Sequence, residues 1–156
     1  MKIRILSIGK TNVDFIQEGI SHYLVRLKHY TKMEWIELPD VKNAAKLDKP
    51  SLLRKEHQLL EPYLSDKGIT ILLDEHGQQR SSVQFAKFIE KHEVQSTPQL
   101  TFIIGGAFGF AKELLDMKFP KFALSEMTFT HQMIRLILIE QVYRAYTIIK
   151  HEKYHH

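Results

Sequence analysis

The chain of 156 residues has no cysteine. That excludes disulfide scaffolds, thiolate metal centres, iron–sulfur clusters and cysteine nucleophiles together, and it suits a reducing, cytoplasmic setting. Seven glycines and five prolines are too few for a collagen-like, linker-rich or low-complexity chain. No apolar run approaches the roughly 18 residues that span a bilayer, and residues 2–9 are too short for a signal-peptide core, so no membrane partner is expected. Charge of one sign is also scarce in excess: 22 Lys and Arg stand against 18 Asp and Glu, a net +4. Any contact with phosphates should therefore be a local patch rather than a coat.

What is present is a 44% hydrophobic composition with nine Phe, six Tyr and one Trp, enough for one sizeable core. A single domain over residues 1–156 is the default. Ile3 and Ile5 mark a strand over residues 2–8 that ends at Gly9. Asn12 is placed to cap a helix whose apolar positions, among them Ile16, Ile20, Leu24 and Leu27, run to about residue 30. Residues 33–38 read as a strand stopped by Pro39, and the polar residues 40–49 as a mobile surface loop. Pro50 suits the first turn of a helix reaching about Leu64. Residues 69–73 are nearly all apolar, as in a strand buried on both faces, and Asp74 ends it. A helix capped by Ser81 or Ser82, a strand over 100–104, a short helix over 111–117, a short strand over 122–125 and a long helix over 131–150 complete the series.

Strands alternating with helices predict an α/β fold whose largely parallel sheet is covered on both faces. Ligands in such sheets bind at the carboxyl ends of the strands, so the loops after Leu73, Ile104 and Ser125 are the places for a site. The last helix is apolar over more than one stripe. It is either central in its own domain or packed on a partner, and a two-fold homodimer is the favoured reading.

Three motifs carry chemistry. Gly105-Gly106-x-x-Gly109 follows an apolar strand and admits close approach of a ligand to the backbone, as a cofactor loop or as a plain tight turn. It does not match the dinucleotide fingerprint. His151-Glu152-x-x-His155 has the letters of a zinc hydrolase, although a three-letter match arises readily by chance in a chain with nine histidines. The basic tail around Tyr154 is either an RNA contact or a solvated terminus.

The constellation becomes specific when the last third is read together. Ile103-Ile104-Gly105-Gly106-Ala107-Phe108-Gly109, Leu124-Ser125-Glu126-Met127-Thr128-Phe129-Thr130-His131-Gln132-Met133-Ile134-Arg135, Ile139-Glu140-Gln141-Val142-Tyr143-Arg144-Ala145-Tyr146 and Tyr154-His155 resemble the RlmH family of ribosomal RNA methyltransferases, and the likeness runs end to end. The resemblance implies a SPOUT-type α/β fold with a C-terminal trefoil knot, working as a homodimer. It implies methyl transfer from S-adenosylmethionine to N3 of a pseudouridine in helix 69 of 23S rRNA, on the assembled ribosome and without a metal. Carried over by motif, the donor pocket would comprise Leu73, Gly105, Leu124, Ser125, Glu126, Met127, Thr128 and Phe129. His155 or Tyr154 would assist removal of the N3 proton, with His131 and Arg135 in support. Two departures stand out: Thr130 replaces a common proline, which is expected to loosen the turn into the last helix, and His156 replaces a common Arg or Lys. A non-catalytic ribosome-binding module of the same fold is the alternative, with the zinc hydrolase behind it.

Overall fold

The computed structural model describes residues 1–64 and 68–154. His155 and His156, and with them the catalytic assignment to His155, lie outside the described residues. Five strands form one parallel sheet in the order β2-β1-β4-β3-β5. They are β1 (Lys2–Ile8), β2 (Lys32–Leu38), β3 (Ile69–Gln79), β4 (Gln99–Ile104) and β5 (Lys121–Ala123). The helices are α1 (Asp14–Leu27), α2 (Lys49–Leu60), α3 (Ser82–Val94), α4 (Lys112–Asp116) and α5 (Met133–Ile149). Among the described residues, no helix is long and apolar enough to cross a membrane.

Alternation along the strands divides the core in two. Ile3, Ile5, Ile71, Leu100, Phe102 and Ile104 point to one face and meet Ile16 and Ile20 of α1, Phe85 and Ile89 of α3, and Leu138 and Val142 of α5. Leu6, Ile8, Leu38, Leu72 and Ile103 point to the other face and meet Leu60 of α2 and Leu114 of α4. Burial on both sides is why β4 is apolar on both faces but for Gln99 and Thr101. The final helix is central: α1 and α3 flank it, so most of its wide apolar surface is covered within the chain.

Several local expectations are corrected. Asn12 does not cap α1; its backbone N–H donates to Gln132 Oε1 at 3.2 Å, and Val13 takes the cap position. The segment after β2 is not featureless, since it holds a 3-10 turn at Ala44–Lys46 and Asp48 accepts from the Ser51 N–H to cap α2. Helix α2 stops at Leu60, and a 3-10 turn at Glu61–Tyr63 accommodates Pro62. Asp74 does not end β3. The strand shifts register between Leu73 and Gln78 and then pairs again with β5, Gln78 opposite Phe122 and Gln79 opposite Ala123. The break aims Asp74, Glu75 and His76 out of the ladder and into a cleft.

Candidate active site

Helix direction places the site. The chain leaves β1 and β3 toward the face of α1, α3 and α5, but leaves β4 toward the face of α4. The loop after β4 therefore parts from both its neighbours and has a crevice on either side, as expected at the carboxyl edge of a doubly wound sheet.

The larger crevice, about 720 Å³, lies toward β3 and β5. Its walls are the end of β3, the loop after β4 and the segment joining β5 to α5. Leu73, Gly105, Leu124, Ser125, Met127, Thr128 and Phe129 all line it, so the structure brings together seven of the eight expected donor-pocket residues; Glu126 does not face it. Ile104, Phe122 and Ile134 add apolar surface, while Asp74, Glu75 and His76 add an acidic edge. Thr128 Oγ1 donates to Glu75 Oε2 at 3.2 Å, tying the β5–α5 segment to the end of β3. Within that segment the Met127 N–H donates to Ser125 Oγ at 2.9 Å.

Close packing dictates glycine in the β4 loop. A Cβ on Gly105 would stand 2.7 Å from the Gly109 carbonyl oxygen, and one on Gly106 would overlap the Glu56 carboxylate. Thr130 tightens the entry to α5 instead of loosening it, because its hydroxyl accepts the otherwise orphaned N–H of Met133 at 3.1 Å.

His131 lines the cleft; Arg135 does not. The Arg135 side chain has 0% exposure and bridges distant segments: Nη2 donates to the Ile8 carbonyl at 2.7 Å, Nη1 to the Gly9 carbonyl at 3.0 Å and to Thr11 Oγ1 at 2.9 Å, and Nε to the His131 carbonyl at 3.0 Å. Glu37 Oε1 lies 3.7 Å away. Burial works to raise the Glu37 carboxyl, but hydrogen bonds from Thr11 and Trp35 and the Arg135 charge hold it below the usual range. Arg135 thus holds the start of α5 against the end of β1.

Tyr154 is also away from the cleft. Its hydroxyl lies 3.3 Å from both Tyr23 Oη and Glu140 Oε1, its ring meets that of Tyr143 edge-on, and the Arg144 guanidinium sits 4.8 Å from its centre. Burial, reinforced by Tyr23, pushes its phenol upward, so it keeps its proton at neutral pH. The zinc reading loses its geometry: α5 ends at Ile149, and His151 adopts left-handed φ of 56°. The His151 N–H donates to the Ile148 carbonyl and that of Glu152 to the Thr147 carbonyl, closing the helix. His151 is therefore not on a continuing helical face, which the zinc pattern requires. Glu152 instead accepts from the Tyr30 hydroxyl at 2.7 Å.

Burial pushes the His131 imidazole below its ordinary value, and the neighbouring Arg135 charge acts in the same sense against a weaker pull from Asp40. The unfolded chain takes up this proton at about pH 6.5, before the folded chain does. Stability should fall as pH drops through that region. Melting followed from pH 8 to pH 5 should show a shallower acid-side decline in His131→Gln than in the parent; identical slopes would reject it. His92, also lowered by burial, contributes a slope of the same sign that stays in both proteins.

Sequence reasoning missed Glu56, although a signal exists. Leu52, Glu56, Leu60 and Tyr63 follow helical spacing, so the carboxylate sits in the inward stripe of α2.

Comparison with known proteins completes the description. Residues 1–155 match the family model described as "Predicted SPOUT methyltransferase". A Cytophaga hutchinsonii protein named Ribosomal RNA large subunit methyltransferase H is 44% identical over 156 residues, covering 100% of both chains. A protein of the same name from Trichlorobacter lovleyi is also 44% identical over 100% of both chains. Among solved structures, a probable methylase family protein from Haemophilus influenzae Rd KW20 superposes with a TM-score of 0.57 at 12% identity, over 99% of this chain and 70% of that one, a likeness of fold.

Proposed function

The chain belongs to the SPOUT methyltransferase family, and on that premise we propose that it methylates large-subunit ribosomal RNA in the cytoplasm, taking the methyl group from S-adenosylmethionine. The acceptor is N3 of a pseudouridine in helix 69, presented by the assembled ribosome. The observation that carries this reading is the cleft at the ends of β3, β4 and β5, where seven of the eight residues assigned to the donor converge.

The cleft suits such a donor. Its volume falls within the roughly 300–1,000 Å³ of small-molecule sites. Leu73, Ile104, Leu124 and Phe129 offer apolar surface to an adenine ring, and backbone polar groups at Gly105 and along residues 124–129 can fix its edge. Asp74 and Glu75 present acceptors to hydroxyl or ammonium groups. Bound there, the donor supplies an electrophilic methyl; the chain's contribution is to hold the two reactants in line.

The working form is a homodimer of single-domain subunits with a knotted C-terminal region. Two features favour the dimer. Met133 and Ile137 are partly exposed apolar positions on the first turns of α5. Tyr154 lies away from its own cleft, so the Tyr154-His155 segment serves a neighbour's. There the segment contacts the acceptor nucleotide, and His155 stabilises the anion left when N3 loses its proton.

The test is transfer of labelled methyl from S-adenosylmethionine to ribosomes lacking the helix 69 mark, beside free subunits and naked rRNA. Label confined to assembled ribosomes and mapping to the helix 69 pseudouridine is expected. Absence of label on every RNA, from a folded protein that binds the donor, would leave a non-catalytic ribosome-binding module.

A further inference from the structure

The smaller crevice, on the β1 side of the loop after β4, has a volume of about 300 Å³. Ile8 and Leu52 form its apolar surface, Asp40 and Glu56 bring carboxylates, and Gly106, Ala107, Phe108 and His131 line both this crevice and the large cleft. Glu56 is the unusual group. It is only 8% exposed, and among the described residues it has no hydrogen-bond or ion-pair partner. Its oxygens are not sealed in the core but open on this pocket. A buried carboxylate without a donor is expensive, and it is found where a ligand supplies the donor.

The remaining walls indicate which ligand. Phe108, which lines both crevices, is 55% exposed, and the Lys49 ammonium, on the large-cleft side, sits over its ring 5.6 Å from the centre. A flat aromatic face beside a cation is the usual platform for an unstacked base and its phosphate. An aromatic lip over an acceptor-rich floor fits a small planar heterocycle that carries ring N–H groups. A simple cation would leave Phe108 and Leu52 without a purpose.

We propose that this pocket seats the methyl-accepting nucleobase, and that Glu56 takes the proton from its ring N–H as the methyl is transferred. This rests on the reading that the chain methylates RNA. The N–H proton passes to the Glu56 carboxylate, and the nitrogen lone pair forms the new bond to the methyl carbon of S-adenosylmethionine. The methyl–sulfur bond breaks with its electron pair left on sulfur, giving S-adenosylhomocysteine. Glu56 then returns the proton to solvent. Burial, with the charge of Asp40, raises the Glu56 carboxyl, which brings its proton affinity nearer to that of an imide nitrogen. The charged or titratable groups facing it are Asp40, from the segment after β2, and His131, ahead of α5; the loop after β4 and the end of β1 bring none to the pocket.

Glu56→Gln keeps the volume and removes the proton acceptor. Turnover should fall by about 100-fold or more, while calorimetric affinity for S-adenosylhomocysteine stays within about twofold, a difference below 0.5 kcal/mol. The variant should melt no lower than the parent at neutral pH, because the parent loses stability as pH rises from the ordinary carboxyl value through the raised one. Pseudouridine monophosphate, added with S-adenosylhomocysteine, should shift the amide resonances of Ala44, Leu52 and Phe108 in the parent.

Turnover kept within a few-fold would overturn the role of Glu56. So would a large loss of S-adenosylhomocysteine affinity with turnover restored at saturating donor, which would place Glu56 on the donor's ammonium group. Absence of nucleotide-induced shifts would remove the pocket. Shifts at these amides from a parent that labels no RNA would instead retain the pocket and fail the ribosomal RNA reading.

Discussion

Arg135→Ala should lower stability by about 3–5 kcal/mol, the usual consequence of deleting a fully buried charged group that donates several hydrogen bonds and leaving its partners unpaired. The alanine leaves the Ile8, Gly9 and His131 carbonyls without the donor they share and takes from Glu37 the charge that offsets its burial. In a chain of this size each kcal/mol moves the melting midpoint by roughly 2–4 °C, so the midpoint should drop by about 10 °C. Arg135→Lys should recover only part of this, since an ammonium cannot present the same planar fork of donors. A midpoint within a degree or two of the parent would show that the carbonyls find other partners. The effect on methyl transfer should follow the loss of folded protein, because Arg135 does not reach the cleft.

The largest effect on the site itself is expected from Gly105→Ala. The added Cβ meets backbone, the Gly109 carbonyl oxygen at 2.7 Å, and the Phe110 ring at 3.2 Å, so no side-chain rotation relieves it. The loop after β4 must shift, and that loop is a wall of both crevices. Misplacement by about 1 Å is worth about 100-fold in a reaction that depends on alignment. Turnover should therefore fall by two orders of magnitude or more, with weakened S-adenosylhomocysteine binding by calorimetry and a far smaller change in melting than Arg135→Ala. Val94→Ala, at a residue 80% exposed and outside the lining of both crevices, should leave both binding and turnover nearly unchanged. Parent-like turnover in Gly105→Ala would mean that the loop yields without consequence for alignment.

The parallel sheet was legible because its strands are short apolar runs separated by amphipathic helices, and the three places singled out build the cleft, although the one after Leu73 is an irregular stretch of β3 and not a loop. The misses share a cause: local chemistry was overruled by partners far along the chain. Asp74 reads as a strand end, yet β3 resumes because β5 offers a second register beyond it. Asn12 has the chemistry of a helix cap, but its backbone N–H goes to Gln132. The apolar width of α5, which favours a homodimer when read alone, is covered for the most part by the flanking α1 and α3 within the chain. Arg135 is legible as part of a motif but not as a structural clamp, since nothing in its neighbourhood names Ile8, Gly9, Thr11 or Glu37 as its contacts. Glu56 lay in an inward stripe; only the structure shows that no donor among the described residues meets it.

Strand β1 lies inside the sheet, between β2 and β4, although it is made first. On one side Lys2 pairs with Lys32, and on the other it pairs with Gln99. During synthesis this strand leaves the ribosome with one edge unmatched until β4 has been translated. Its terminal carbonyls wait longer still, for Arg135. Pairings of such long sequence separation are slow to close, so the nascent chain has no N-terminal subdomain to finish early. Completion of the sheet is expected only after β4 has been made, and until then the unmatched β1 edge is the segment a chaperone would need to shield.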